Sequence, residues 1–189
     1  MTGPHESAAS LRAGGRELAV SWHASIRRLH DEIFLRPPFL FGERAAQEHE
    51  DMLTTIREDL TFGISVALSG TDVVGFTYGH RLLTDHRWWE RFTTPVPSEV
   101  TREWDGRTFA LIDIGVSERW RGRGIGRRLV DSLLGPRSES RAVLSVQPDA
   151  AQAHAFYVAL GWQLIGRKGP IPGAVPPFWD IYCLDLMAD

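Results

Sequence analysis

Apolar residues recur at helical spacing from about Glu17 to Phe34, where Leu18, Trp22, Ile26, Leu29 and Ile33 share one stripe and predict an amphipathic helix. The run RPPFLFG stops it, because prolines cannot continue a helical hydrogen-bond ladder. A second helix is predicted from Glu43 to Leu60, with Met52, Leu53, Ile56 and Leu60 facing inward and charges on the opposite face. The period then changes. FGISVAL and VVGFTYGH are short β-rich runs separated by SGTD, a turn-forming sequence that reads as a hairpin. From Leu82 to Thr108 there is little periodicity, and Trp88, Trp89, Pro95, Pro97 and Trp104 mark a long excursion or a short helix between loops. FALIDIGV, residues 109–116, is an almost continuous apolar run, as expected of a central strand covered on both faces. After RWRGRGIG, residues Ile125, Leu129, Val130, Leu133 and Leu134 give the next helix its stripe, and Gly135-Pro136 ends it. Ala142 to Val146 reads as a strand, and Pro148 to Leu160 as a helix opened by Pro and Asp and closed by Gly161. Strands at Trp162–Gly166 and Trp179–Leu186 flank a loop crowded with proline and glycine. The order β-α-α-β-β-β-α-β-α-β-β predicts an α/β (α+β) architecture, a mixed sheet packed between helices.

At 189 residues, 43% hydrophobic, the chain can bury one core, so a single domain over 1–189 is expected, with 1–8 a loose N-terminal tail. No apolar stretch is long enough to span a membrane, and MTGPHESAAS lacks the features of a secretory signal. A cytoplasmic protein is the resulting expectation. Cys183 is the only cysteine and reads as a small buried residue. The formal net charge of −3 gives the whole molecule no attraction for nucleic acid, and only the arginine cluster at 119–128 needs a local reason. Twenty of the 21 basic residues are arginine, a coding bias that suggests a GC-rich bacterial genome.

That cluster holds the most informative piece of the chain, Arg121-Gly122-Arg123-Gly124-Ile125-Gly126, between a buried strand and a helix start. A helix N-terminus offers unpaired N–H groups and the positive end of its dipole, so main chain can cradle a pyrophosphate there. Arg121, Arg123, Arg127 and Arg128 add positive charge nearby. A P-loop would end in Gly-Lys-Ser/Thr, whereas Gly126 is followed by Arg127 and Arg128; the third glycine of a dinucleotide fingerprint is also missing. The segment matches R/Q-x-x-G-x-G/A, with Val116 five residues before the arginine, and Ala153-His-Ala-Phe156-Tyr157-Val-Ala-Leu160-Gly161-Trp162 matches A-x-x-x-Y-x-x-x-G-F/W. In these two motifs, ordered and spaced as they are, the chain resembles the GNAT superfamily of N-acetyltransferases. Residues 62–166 follow that family's order, and the ends follow it loosely.

The resemblance implies a GNAT-like acyl-CoA N-acyltransferase fold. In it the strand carrying Val116 splays from the strand ending near Val146, and acetyl-CoA lies in the gap as co-substrate. It implies main-chain contacts to pantetheine from Ile114, Gly115 and Val116, and to pyrophosphate from Arg121, Gly122, Arg123, Gly124, Ile125, Gly126 and Arg127. It also implies that Tyr157 protonates the departing thiolate. One departure is Ala150, where the family often has an asparagine; Gln147 or Gln152 is available to take over that contact.

For the base that deprotonates the amine, Asp113 is the leading candidate, since a lone carboxylate in an apolar strand needs a partner or a task. A structural acceptor role remains open for it, and Glu103, His80 and His154 rank below it. Phe39 and Phe41, between the first two helices, and Trp88 and Trp89 are expected at the acceptor rim, suiting an apolar or cationic amine. His80 and His86 lack metal-ligand spacing, so no metal is expected. The expected activity is direct transfer of acetyl to a small-molecule or peptide amine, without a covalent intermediate. Rival readings are another acyl-CoA donor, or a non-catalytic acyl-CoA sensor. No nucleic-acid or membrane partner is expected, and the resemblance leaves a homodimer open.

Overall fold

A computed structural model describes residues 8–84 and 86–187, so the expected loose tail at 1–8 lies, apart from Ala8, outside the described residues. Seven strands form one sheet: β1 (Ser10–Gly14), β2 (Gly63–Ser69), β3 (Asp72–Arg81), β4 (Thr108–Val116), β5 (Arg141–Val146), β6 (Gln163–Lys168) and β7 (Trp179–Asp185). Their spatial order is β1-β2-β3-β4-β5-β7-β6, antiparallel throughout except where β4 meets β5 in parallel. The helices are α1 (Arg16–Phe34), α2 (Glu43–Ile56), α3 (Ser98–Thr101), α4 (Ile125–Leu134) and α5 (Ala151–Ala159).

The apolar stripes explain the layering. Ala19, Ile26, Leu29, Ile33 and Phe34 of α1 join Leu53 of α2 over Ile64, Val66, Phe76 and Tyr78 of β2 and β3. Val130, Leu133 and Leu134 of α4 pack with Tyr157 of α5 on Phe109, Leu111, Ala142 and Leu144 of β4 and β5. Each fully buried Leu or Ile contributes roughly 1.5–3 kcal/mol relative to exposure.

Several boundaries differ from the sequence reading. Helix α2 stops at Ile56, and Leu60 is fully exposed (103%) instead of facing inward. The reason is a tight turn in which Asp59 Oδ1 accepts from both the N–H and the hydroxyl of Thr61 at 2.7 Å, sending Phe62 into the core in place of Leu60. Pro148 and Asp149 form a turn ahead of α5, which starts at Ala151. The excursion over 82–107 holds a single 3-10 turn (Arg87–Trp89) and the four-residue α3.

The decisive feature lies between β4 and β5. They pair only at Thr108/Arg141, Phe109/Ala142 and Ala110/Val143. Just beyond, β4 carries a bulge: Gly79 of β3 faces Leu111 and Tyr78 faces Asp113, leaving Ile112 as an extra residue. A bulge bends its strand and raises its twist. Beta4 then stays on β3 through Val116, β5 stays on β7 through Val146, and the sheet opens into a fork.

Candidate active site in the forked sheet

A cavity of about 1250 Å³ occupies this fork. Its walls include Leu111 to Val116 of β4, Leu144 to Val146 of β5 with Gln147 just beyond, the glycine loop and the start of α4 (apart from Arg123), and the first turns of α5. Beyond the paired strand ends, the edges of β4 and β5 that face each other carry no ladder between them, so main-chain groups there that no side chain engages, unlike the Ile114 N–H and one lone pair of the Val116 carbonyl, are available to an extended, amide-bearing ligand.

At one end lies the glycine loop. Gly124 caps α4 at φ 74°, a left-handed conformation that a side-chain-bearing residue adopts only under strain. The next N–H groups open the helix without intrahelical acceptors and form an anion cradle. A Cβ on Gly126 would sit 3.0 Å from the Phe156 ring, so a larger residue here would press α4 against that ring. Ile114, Gly115, Val116, Arg121, Gly122, Gly124, Ile125, Gly126 and Arg127 all line the cavity. Arg121 Nε donates to Val116 O at 3.0 Å and Arg127 Nη2 to Ala159 O at 3.1 Å, placing both guanidinium groups beside the cradle. Arg123 is absent from the cavity wall, and its guanidinium stacks on the Trp120 ring at 4.7 Å. Arg128 instead ties α4 to the carbonyl of Ala9. Gln147, buried on the cavity wall, has a side-chain Nε2 with no protein partner.

At the fork's vertex stands a cluster of titratable groups. Asp113 Oδ1 accepts from the N–H of Ile114 at 2.8 Å, and Oδ2 lies 2.8 Å from His49 Nε2. The Tyr78 hydroxyl hydrogen-bonds to the same nitrogen. His30 stacks under His49, ring centroids 3.6 Å apart at 15°, with its Nε2 3.7 Å from Asp113 Oδ2. Burial pushes the His30 pKa down, partly opposed by the Asp113 charge, so this imidazole is held towards its neutral form. Burial first, and Asp113 second, push Tyr78 and Tyr157 up, keeping both phenols protonated at neutral pH. Tyr157 and His49 both line the cavity.

His30, His49 and Asp113 bring three ligand-type atoms within 4.8 Å of one another. Two stacked imidazoles, ring centroids 3.6 Å apart, hold their nitrogen lone pairs in near-parallel planes, a poor geometry for aiming both at one ion. The arrangement suits proton transfer better than metal coordination.

Phe39, Phe41 and Trp88, expected at an acceptor rim, line the cavity, as do Phe34, Met52 and Trp179. Trp89 does not. Its indole Nε1 donates to Glu103 at 2.7 Å while the Arg141 guanidinium covers its ring at 4.6 Å, in a buried network with Thr108. Glu103 is thereby consumed structurally. His80 sits off the cavity, 3.7 Å from Asp59, and His154 binds the Tyr182 hydroxyl and the Gln147 carbonyl at 2.8 and 3.0 Å.

The sequence model of the Acetyltransferase (GNAT) family matches residues 24–162, well over half of the chain. The protein belongs to this GNAT family. The GNAT fold recurs in solved structures at low identity. The Salmonella typhimurium protein yncA, solved with its cofactor acetyl-CoA, aligns with TM-score 0.65 and 14% identity over 97% of this chain and 96% of that one. The ribosomal-protein-S18-alanine N-acetyltransferase of Escherichia coli aligns with TM-score 0.64 and 14% identity, covering 95% and 97%. Aminoglycoside 6'-acetyltransferase type Ii gives 0.63 and 17%, covering 95% and 99%. No curated protein sequence matches the chain significantly. Among the described residues of this GNAT protein, no helix is long and apolar enough to cross a membrane.

Three residues of the cluster around Asp113 escaped the sequence reading: His30, His49 and Tyr78. Their signal was a histidine on each of two apolar helix stripes, His30 four residues after Ile26 and His49 four before Leu53. A polar ring on a core-facing stripe needs a partner inside.

Proposed function

We propose that the protein is an N-acetyltransferase that moves the acetyl group of acetyl-CoA directly onto an amine. One observation carries the reading: the fork between β4 and β5 joins an anion cradle at one end to a carboxylate, an imidazole and a phenol at its vertex. The residues suit such a donor. The cradle at Gly124 fits the pyrophosphate, the free edge of β4 fits the pantetheine amides, and the uncommitted Gln147 Nε2 supplies a donor near Ala150, where GNAT proteins often carry asparagine.

The acceptor enters as an ammonium ion, which must lose a proton before its nitrogen can attack. With the His49 Nε2–H donated to Asp113, Nδ1 keeps its lone pair, so His49 takes that proton while Asp113 orients the ring and offsets the imidazolium charge. The neutral amine then attacks the thioester carbonyl; the C–N bond forms, the C–S bond breaks, the sulfur leaves with its electron pair, and the nitrogen gives up its second proton, which replaces the one that Tyr157 delivers to the sulfur. Tyr157 supplies a hydrogen bond and then a proton to that sulfur. A charged Asp113 opposes ionisation of Tyr157, and proton uptake by the adjoining His49 relieves this opposition at the moment the thiolate forms. Cys183 is absent from the cavity wall and burial pushes its thiol up, which favours direct transfer over an acetyl-cysteine intermediate.

The test is thiol release from acetyl-CoA with and without amines, combined with intact-protein mass spectrometry. Amine-dependent release with no acetylated protein is expected. A protein-bound acetyl group that an amine then discharges would overturn direct transfer.

A further inference from the structure

We infer that the acceptor is an apolar monoamine: one primary amine on an aromatic or bulky aliphatic body, carrying no carboxylate, phosphate or second cation. This rests on the acetyl-transfer reading and narrows it. The acceptor end of the cavity is walled by Phe34, Phe39, Phe41, Met52 and Trp88, with the Phe34 ring 4.7 Å from Phe39 and 5.6 Å from Phe41. The polar groups that meet this wall are Asp113 and His49. With His30 neutral and Tyr78 and Tyr157 protonated, Asp113 is matched by one incoming ammonium, which the aromatic faces also attract.

Charge placement argues against the other amine classes. An anionic acceptor needs a cation, and the arginines on the cavity wall, Arg121 and Arg127, both stand at the glycine loop. Lys168, 5.8 Å from the Trp88 ring, donates to the carbonyls of Arg87 and Trp88 and does not line the cavity. Arg36 does not line the cavity; it lines an adjoining 90 Å³ pocket that shares Ile33, Pro37, Glu118 and Arg121 with the cavity wall, where the carboxylates of Glu32 and Glu118 accompany it. A polycation would bring a second charge with no second carboxylate to match it at this end, since the remaining wall carboxylates, Glu118 and Asp149, flank the glycine loop and the start of α5. A peptide would bring amide groups into walls that offer them few partners.

The experiment compares kcat/KM for acetyl-CoA-dependent thiol release with 2-phenylethylamine, L-phenylalanine, 1,6-diaminohexane, kanamycin and a short alanine peptide, alongside acetyl-CoA binding by calorimetry. 2-Phenylethylamine should be acetylated, and L-phenylalanine, the same body plus a carboxylate, should be roughly 30-fold or more worse. Phe41→Ala should raise KM for 2-phenylethylamine by about tenfold with KM for acetyl-CoA held. Equal or better turnover of the amino acid, the diamine, kanamycin or the peptide would overturn this inference while leaving acetyl transfer standing. Acetyl-CoA binding with no thiol release from any amine would overturn acetyl transfer itself.

Discussion

Asp113 holds a backbone N–H with one oxygen and His49 with the other, and its charge reaches both Tyr78 and Tyr157. A carboxylate so engaged is better placed to orient a base than to act as one. His49→Gln should therefore abolish the acidic limb of the kcat/KM profile, whereas Asp113→Asn should keep a limb while kcat falls about 100-fold. A limb that survives His49→Gln and vanishes in Asp113→Asn would return the base to the carboxylate. Tyr157→Phe should lower kcat by about 100-fold with acetyl-CoA affinity unchanged. Because burial and Asp113 raise the Tyr157 pKa, its deprotonation cannot shape the profile below about pH 10, and stopped assays across that range can check this. Asp113 was legible in the sequence because a lone carboxylate interrupts an apolar strand. His49 was not, because what marks it out is contact with β4 and α1, and sequence separates those elements widely.

At the scale of elements, the loop at 121–127 was readable because its chemistry is local: glycines, a preceding strand and a following helix lie within one short segment. The bulge at Ile112 was not, since an extra residue in FALIDIGV leaves the apolar pattern intact and shows only in register against β3. Trp89 failed as a rim residue for a similar reason. Its partner Arg141 arrives from β5, and the pair closes over Glu103, the Arg141 and Glu103 side chains being 8% and 4% exposed. This network pins the end of the 82–107 excursion where β4 and β5 are still paired, directly below the fork. Removing one member of a buried ion pair leaves the other charge uncompensated, so Glu103→Ala should cost about 3–5 kcal/mol of stability, read from denaturant midpoints.

Over the whole molecule, the mixed sheet and its helical layers followed from element order, and the splay followed from the resemblance, but the cavity's contents depended on three-dimensional packing. The histidines also give the molecule a pH signature. Burial lowers the pKa of both His30 and His80, so the folded state resists the proton that the unfolded chain accepts near pH 6.5. Stability should fall as pH drops below about 6.5, and His30→Phe should soften that fall, as melting temperatures between pH 7 and 5 would show. The central claim is that the fork holds an acyl-CoA whose pyrophosphate rests on the start of α4. Titration calorimetry of acetyl-CoA into the wild-type protein and Gly124→Val, each checked for cooperative melting, tests it most directly. One-to-one binding by the wild type and its loss in a folded Gly124→Val is the expected result; no binding by the wild type, or equal binding by both, would contradict the claim.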